Sequence, residues 1–266
     1  MAGGKATGAE RGVTAAEIVV RPCRGLDEMR ACVALQKEVW NFSDAELVPL
    51  RLFVVAEKIG GQVMGAFEGK DLVGFALALP GVRGSRVYLH SQMLAVREQY
   101  RNSGLGRRLK LCQRDDALGR GIELMEWTFD PLEIKNSYLN LERLGAIARR
   151  YTRNQYGITA TPLQGGLPTD RLVAEWWLNS RRVETLLETG SRPRFEIVKT
   201  ISVPGLIYQW KASDSTRSLA KQIQEENREE FLEAFAAGLA VLGYERDSEG
   251  NGRFLLGVWD EAGKCV

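Results

Sequence analysis

The 266-residue chain contains one histidine, His90, and four cysteines that form no Cys-x-x-Cys pair. A histidine-rich metal site is therefore excluded, and a chain of this length does not need disulfides to hold its core. Neither sign of charge is in excess, because 36 Lys and Arg face 34 Asp and Glu. The resulting net charge of +2 gives no electrostatic reason to expect nucleic acid or an anionic membrane as a partner.

Long apolar runs are also lacking, since no run approaches the roughly 20 residues that span a bilayer. Residues 1–16 are rich in Gly, Ala and charge and lack the apolar core of a signal peptide. The hydrophobic fraction of 44% and the charged fraction of 26% are typical of a well-packed globular protein. We therefore expect a soluble cytoplasmic protein that binds no metal and begins with a flexible tail at residues 1–16.

The sequence pattern divides the chain into the tail at 1–16, a main domain at 17–180 and a C-terminal α/β module at 181–266. No disordered linker marks the boundary near Ser180. Alternation and turn residues predict strands at 18–20, 63–67, 72–79, 86–96, 122–129, 147–156, 171–178, 195–203 and 253–259. Helical spacing and capping residues predict helices at 26–40, 44–58, 104–119, 136–144, 181–188 and 218–242.

The last predicted helix has an apolar side, and ordinary helix packing explains that side either within the chain or across a homodimer interface. Its members are Phe231, Leu232, Phe235, Leu239 and Leu242.

The most informative segment runs from His90 to Arg108, where a predicted strand leads through a short loop into a helix. Gly104 and Gly106 open this helix, and three arginines, Arg101, Arg107 and Arg108, flank them. The first N–H groups of a helix lack internal partners and carry partial positive charge, so the pattern predicts a site for a phosphate. A tight turn whose glycines serve packing alone is the alternative. The segment lacks Gly-Lys-Ser/Thr of a P-loop and the third glycine of a dinucleotide fingerprint.

Two features of this segment resemble the coenzyme motif of the GNAT superfamily of N-acetyltransferases. One is the strand end Leu94-Ala95-Val96, and the other is Arg101-x-x-Gly104-x-Gly106. The predicted order of elements over residues 18–178 agrees with that superfamily. The segments Phe129-Asp-Pro-Leu and Asn136-x-x-x-Asn140-Leu-x-x-Leu-Gly145 are similar to an uncharacterised branch of predicted acetyltransferases.

The resemblance implies a mixed, mostly antiparallel central sheet flanked by helices, with the C-terminal module as an extension. It also implies an acyl-CoA-dependent N-acyltransferase that moves acetyl from acetyl-CoA to a primary amine. A catalytically weak or inactive acetyl-CoA-binding protein of the same fold, acting as a sensor or in assembly, is the alternative. The implied coenzyme contacts are Leu94, Ala95 and Val96 for pantetheine, the amides of Arg101, Asn102, Ser103, Gly104, Leu105, Gly106 and Arg107 for pyrophosphate, and Asn136 from the opposite side.

Two residues are candidates for proton transfer. His90 lies six residues before Val96, and period-two alternation places it on the strand face of Gln92 and Leu94. In the superfamily a Glu or His at this offset is the general base, whereas a core histidine bonded to a backbone carbonyl is the alternative. Glu126 lies in an apolar strand and is a second candidate base, an anchor for the substrate amine, or a salt-bridge partner.

The tyrosine that often acts as general acid in the superfamily corresponds to Leu141 here, and Tyr138 lies about one turn earlier. Proton donation to the departing thiolate is therefore assigned to water, and stabilisation of the oxyanion to a backbone N–H near Met93 or Leu94.

Trp176 and Trp177 are neighbours on one predicted strand, so one of them is expected in the core and the other is a candidate wall of the acceptor pocket. The strand before the 159–170 loop is basic and aromatic. It favours either an acidic acceptor or a solvated sheet edge. Its members are Arg149, Arg150, Tyr151, Arg153 and Tyr156.

Overall fold

The structure is a computed structural model that describes residues 17–158 and 164–259. The predicted tail at 1–16 and part of the 159–170 loop lie outside the described residues. The strands are β1 Ile18–Pro22, β2 Gln62–Glu68, β3 Asp71–Arg83, β4 Arg86–Val96, β5 Leu124–Phe129, β6 Ile147–Thr152, β7 Arg171–Trp177, β8 Lys199–Val203, β9 Leu239–Arg246 and β10 Gly252–Val258. The helices are α1 Gly25–Trp40, α2 Leu50–Lys58, α3 Leu105–Gly119, α4 Ile134–Tyr138, α5 Arg181–Thr189, α6 Ile207–Ala212 and α7 Arg217–Ala236.

All of these strands form one sheet in the order β1-β2-β3-β4-β5-β7-β6-β9-β10-β8. The pairings are antiparallel except for that of β4 with β5, which is parallel. The predicted fold class, a mixed and mostly antiparallel sheet flanked by helices, is confirmed. A parallel neighbour requires a crossover, and α3 supplies it between β4 and β5.

Helices cover both faces of the sheet at its N-terminal end. Apolar residues of α1 and α2, such as Met29 and Phe53, pack with Phe75 and Leu77 of β3 on one face. Leu105 of α3 packs in a separate cluster with β2 and β3 residues on the opposite face. The alternation of β3 side chains between these two clusters is the period of two that a strand imposes. Among the described residues, no helix combines the length and the apolar character that crossing a bilayer requires.

The C-terminal module continues the same sheet, because β9 pairs with β6 at Val241 and Ala148. One buried cluster contains residues from both sides of Ser180, including Trp176 and Phe231. Phe231 of α7 stacks on the Tyr151 ring at 5.8 Å and is wholly buried. The apolar side of α7 therefore packs within the chain at this position.

Two predicted helix boundaries were wrong, and one helix was missed. The second helix begins at Leu50 rather than near Ser43, because Pro49 precedes it in an extended conformation. The long C-terminal helix ends at Ala236, and residues 239–242 belong to β9 after Gly238 turns the chain with a φ of 79°. The helix at 207–212 was not predicted at all. The predicted helix at 136–144 is α4 followed by a π-helical turn at Leu139–Arg143.

Candidate functional site

The central feature of the site is a fork between β4 and β5. The parallel pairing of these strands in the described chain comprises Leu89 with Met125 and His90 with Glu126. Beyond these pairs β4 runs on to Val96, while β5 continues along β7 to the pair Phe129 and Leu172. The backbone of residues 92–96 on the β5 side of β4 is therefore left without a strand partner, and it includes the predicted pantetheine contacts Leu94, Ala95 and Val96.

A glycine turn lies at the open end of this fork. Gly104 precedes α3 with a φ of 83°, and no side chain caps the helix. Asn102 also has a positive φ, of 63°, so successive amides turn towards one side as in an anion-binding nest. A Cβ atom added at Gly104 would meet no heavy atom within 4 Å, so the space in front of this turn is open. The first-turn amides of α3 lack intrahelical partners, and the geometry fits a phosphate group.

The arginines of the motif divide into two groups. Arg101 donates from Nε to the Val96 carbonyl at 3.2 Å, and Arg107 donates to the Arg143 carbonyl at 3.1 Å. Arg101 and Arg107 therefore lie beside the turn. Burial and the charge of the neighbouring Arg143 lower the pKa of Arg107. Arg108 instead donates to the Ile18 carbonyl in β1 and lies away from the turn.

His90 lies at the fork, directly across from Glu126. Its side chain is half-buried, and its ring nitrogens have no hydrogen-bond partner in the described part of the chain. Burial lowers the pKa of His90, Glu126 partly offsets this, and Lys110 lowers it further. The imidazole is therefore neutral at neutral pH and able to accept a proton. The alternative of a core histidine bonded to a carbonyl is not what the structure contains.

The predicted face of His90 was wrong. The register between β3 and β4 shifts between the pairs Leu77–Met93 and Ala78–Ser91, so Gln92 is an extra residue in β4. Such a bulge interrupts the alternation of side chains. Leu89 and Ser91 before the bulge contact the α3 side of the sheet, as Leu94 does after it. His90 therefore lies on the face opposite Leu94.

Glu126 is a salt-bridge partner in the structure. Arg83 binds its carboxylate with two bonds of 2.6 and 2.7 Å, and Arg150 adds a third of 2.6 Å. Burial favours the neutral acid, but the hydrogen bonds from Arg83 and Arg150 outweigh it and hold the pKa of Glu126 below its ordinary value. Of the three predicted roles, this arrangement supports the salt-bridge partner and makes Glu126 a weak base.

A cavity of about 460 Å³ opens on the face of Glu126. We call it the arginine cavity, defined by Arg83, Arg86, Tyr88, Leu124, Glu126, Arg149, Arg150, Glu175, Trp177 and Trp259. Trp177 lines it, whereas Trp176 is wholly buried and packs on Trp127. The expectation that one of the two tryptophans lies in the core is therefore confirmed, and that residue is Trp176. The sequence did not single out Arg83, Arg86 or Tyr88, which lie in the β3–β4 hairpin.

Lys110 of α3 is a further group that the sequence did not indicate. Its side chain is buried, donates to Ser91 Oγ at 2.6 Å and lies 3.7 Å from the centre of the Trp127 ring. Ser91 follows His90 on β4, and Trp127 follows Glu126 on β5, so the Lys110 amine lies at the fork on the α3 side. Burial lowers the pKa of Lys110 to about 7.

This amine gives the protein a specific pH dependence of stability. The unfolded chain keeps Lys110 protonated up to about pH 10.4, whereas the folded protein releases that proton above about pH 7. The folded state thus binds fewer protons in this window, so wild-type stability rises there by up to about 1.4 kcal/mol per pH unit. Urea unfolding of Lys110→Met at pH 7, 8 and 9 is expected to lack that increment. Lys70→Met, at an exposed turn position, should keep the wild-type slope, and an equal slope in all three proteins contradicts the assignment.

The remaining predicted positions lie on or near α4. Asn136 is the third residue of α4 and is exposed. Leu141, at the position of the superfamily tyrosine, is wholly buried, and Arg246 lies over the Tyr138 ring at 4.0 Å. Asn140 is buried with no partner for Nδ2 within the described residues. The described residues include no cluster of three His, Cys, Asp or Glu arranged for a metal ion.

Part of the chain matches a known protein family, and its fold is similar to solved structures. Residues 27–135 match the acetyltransferase (GNAT) family. A protein of Salmonella typhimurium assigned to the acetyltransferases, solved with its cofactor acetyl-CoA, is 17% identical with a TM-score of 0.50 over 61% of this chain and 94% of its own. An N-acetyltransferase from Staphylococcus aureus Mu50 is 12% identical with a TM-score of 0.51 over 62% of this chain and 100% of its own. At these identities the likeness establishes the fold. A comparison with curated protein sequences found no match.

Proposed function

We propose that the chain transfers acetyl from acetyl-CoA to a primary amine, because residues 27–135 match the acetyltransferase (GNAT) family. The observation that carries the proposal is the fork between β4 and β5 with an uncapped glycine turn at its open end. The turn offers amides to a pyrophosphate, and the unpaired edge of β4 offers peptide groups to the pantetheine arm. A coenzyme held at both places would lie along β4 towards the pair of His90 and Glu126.

The coenzyme contacts follow from these two surfaces. The amides of residues 101–107, from Arg101 to Arg107, bind the pyrophosphate, and Arg101 and Arg107 add positive charge beside it. The backbone of Leu94, Ala95 and Val96 pairs with the pantetheine as an added strand. Asn136 contacts the coenzyme from α4. Asn140, whose buried amide nitrogen has no partner in the described chain, is a second amide on that helical segment.

In this proposal His90 accepts the proton of the incoming amine, directly or through one water. The neutral amine attacks the thioester carbonyl, and the nitrogen of the tetrahedral intermediate loses its extra proton to water. The carbon–sulfur bond then breaks, and the CoA thiolate leaves and takes a proton from water. A backbone N–H at Met93 or Leu94, next to the bulge, stabilises the oxyanion. Glu126, which the sequence also marked as catalytic, serves as an anchor that orders Arg83 and Arg150 beside the base.

The second candidate is an acetyl-CoA-binding protein with little or no turnover. The buried Leu141 in place of a tyrosine favours it, because the departing thiolate then has no side-chain acid at that position. Both candidates share the coenzyme site, so they differ only in release of free CoA.

Two measurements test the proposal. Thermal unfolding with and without acetyl-CoA is expected to give a rise in Tm that depends on coenzyme concentration. A screen of amines, amino acids and peptides with thiol detection is then expected to show acceptor-dependent release of CoA. Stabilisation without release for any acceptor supports the binding protein, and no stabilisation contradicts both candidates.

A further inference from the structure

We infer that the arginine cavity is the acceptor site and that it selects amines bearing an anionic group, a carboxylate or a phosphate, on an apolar body. This inference rests on the proposed function, because it assigns the substrate of that same site. The cavity shares Glu126 with the fork, and Tyr88 precedes His90 by two residues on the same strand face. An amine bound in the cavity therefore lies next to the proposed base.

One arginine of the lining lacks a carboxylate partner among the described residues. Glu126 and Glu175 are both buried, and Arg83, Arg149 and Arg150 contact them in a continuous network. These three guanidinium groups are therefore already engaged by carboxylates. Arg86 is an additional cation, and it forms no ion pair with any residue that the structure describes. A ligand anion would pair with Arg86, whereas a ligand that carries positive charge alone would be repelled.

Arg86 is held in a defined position rather than free in solvent. Its guanidinium lies over the Trp177 ring at 4.9 Å, and Arg83 lies over the Tyr88 ring at 5.1 Å. Arg83 and Arg86 face each other across the β3–β4 hairpin, so one turn supplies both cations. A stacked guanidinium keeps its coplanar N–H groups free at the edge. Two of these groups match two oxygens of a carboxylate or phosphate.

A bulge in β6 places Arg149 and Arg150 together in the wall of the cavity. The register between β6 and β7 shifts between Ala148 and Arg150, so Arg149 is an extra residue in β6. Both Arg149 and Arg150 consequently reach Glu175, although neighbouring strand residues normally face opposite sides of the sheet. The two anchored arginines bind the buried Glu175 carboxylate, so Arg86 is the lining cation that remains for a ligand.

The remaining wall of the cavity is apolar and aromatic. Tyr88, Leu124, Trp177 and Trp259 provide this surface. Aromatic rings stabilise an apolar ligand body by burial, and the volume of about 460 Å³ suits a small molecule. The chemistry of the lining thus describes an amino-acid-like or phosphorylated amine with an apolar or aromatic part.

The test uses pairs of amines that differ only in the anionic group. L-Phenylalanine with 2-phenylethylamine and O-phosphoethanolamine with ethanolamine are two such pairs. Calorimetric binding to the full-length protein in the presence of CoA is expected to favour the anionic member of a pair. Arg86→Gln is expected to weaken binding of that member by roughly 10- to 100-fold and not to weaken binding of the member without the anionic group, which is a cation at neutral pH. Arg253→Gln, an arginine paired with Glu245 outside the arginine cavity, is the matched control and should change neither.

Binding is measured separately from turnover, so the two proposals fail in different ways. Selective binding of the anionic amine without CoA release supports this inference and contradicts the transferase. Turnover that prefers the member without the anionic group, equal effects of Arg86→Gln on both members, or no binding of either member overturns the inference. A further experiment compares turnover with acetyl-CoA and with succinyl-CoA as the acyl donor. If Arg86→Gln impairs only the succinyl donor, the anion belongs to the acyl group and the acceptor assignment is wrong.

Discussion

Valine at both Gly104 and Gly106 is expected to abolish the stabilisation of the protein by acetyl-CoA. Gly104 has a φ of 83°, which a β-branched residue adopts only with strain, and its Cβ would point into the open space in front of the turn. A side chain there occupies the position of the bound phosphate and rotates the amides that would bind it. We expect at least a 100-fold loss of affinity, which corresponds to about 2.7 kcal/mol.

The unliganded double variant is expected to fold. A Cβ at Gly106 would lie 3.6 Å from Leu94 Cδ2 and 3.9 Å from Val96 Cγ2, which are ordinary contacts, and a Cβ at Gly104 would meet nothing within 4 Å. Circular dichroism and the unliganded Tm check this. Gly69→Val is the matched control, because Gly69 also has a positive φ, of 61°, and open space, but lies in the β2–β3 turn. If the double variant keeps the coenzyme-dependent rise in Tm, the phosphate site is elsewhere.

His90→Gln is expected to lower kcat by about 100-fold or more with little change in coenzyme affinity. Glutamine retains polarity and similar volume but cannot accept a proton at neutral pH. Since burial lowers the pKa of His90, the wild-type rate should fall as the pH drops through a value below 6.5. That acid limb is expected to disappear in the variant.

The chain offers a direct check, because His90 is its single histidine. Imidazole signals in an NMR titration therefore belong to this residue alone, and their midpoint should coincide with the acid limb of the rate profile. Wild-type turnover and an unchanged profile in His90→Gln would show that water or another group takes the proton. Glu126 is then the next residue to test, although its three arginine bonds favour the ionised, anchored form.

Contacts between residues close in the chain made one part of the site predictable. The long strand at 86–96 was predicted at its observed bounds, and the helix after Gly104 was placed within one residue. Glycines at a strand-to-helix turn fix the local backbone, and an uncapped helix start follows from the residues around it. The anion site therefore depends on about twenty consecutive residues and needs no distant partner to be recognised.

The arginine cavity, in contrast, could not be predicted from the sequence. It joins the β3–β4 hairpin to β5, β6, β7 and Trp259, and its central ion pair links Arg83 to Glu126 across 43 residues. Its shape also depends on two bulges, at Gln92 and Arg149. A bulge has no residue signature in this chain, yet it reverses which face each later side chain occupies.

The C-terminal part shows the same division between local pattern and tertiary context. Leu239 and Leu242 continue the apolar spacing of the preceding helix, so the sequence alone favoured a helix through them. In the structure Gly238 ends that continuity, and residues 239–246 pair with β6 and β10. The sequence by itself determined the glycine turn before α3 and most elements, because these depend on short-range spacing. The tertiary structure decided the face of His90, the pairing of Glu126 and the end of α7, because strand register and burial are set by partners far away in the chain.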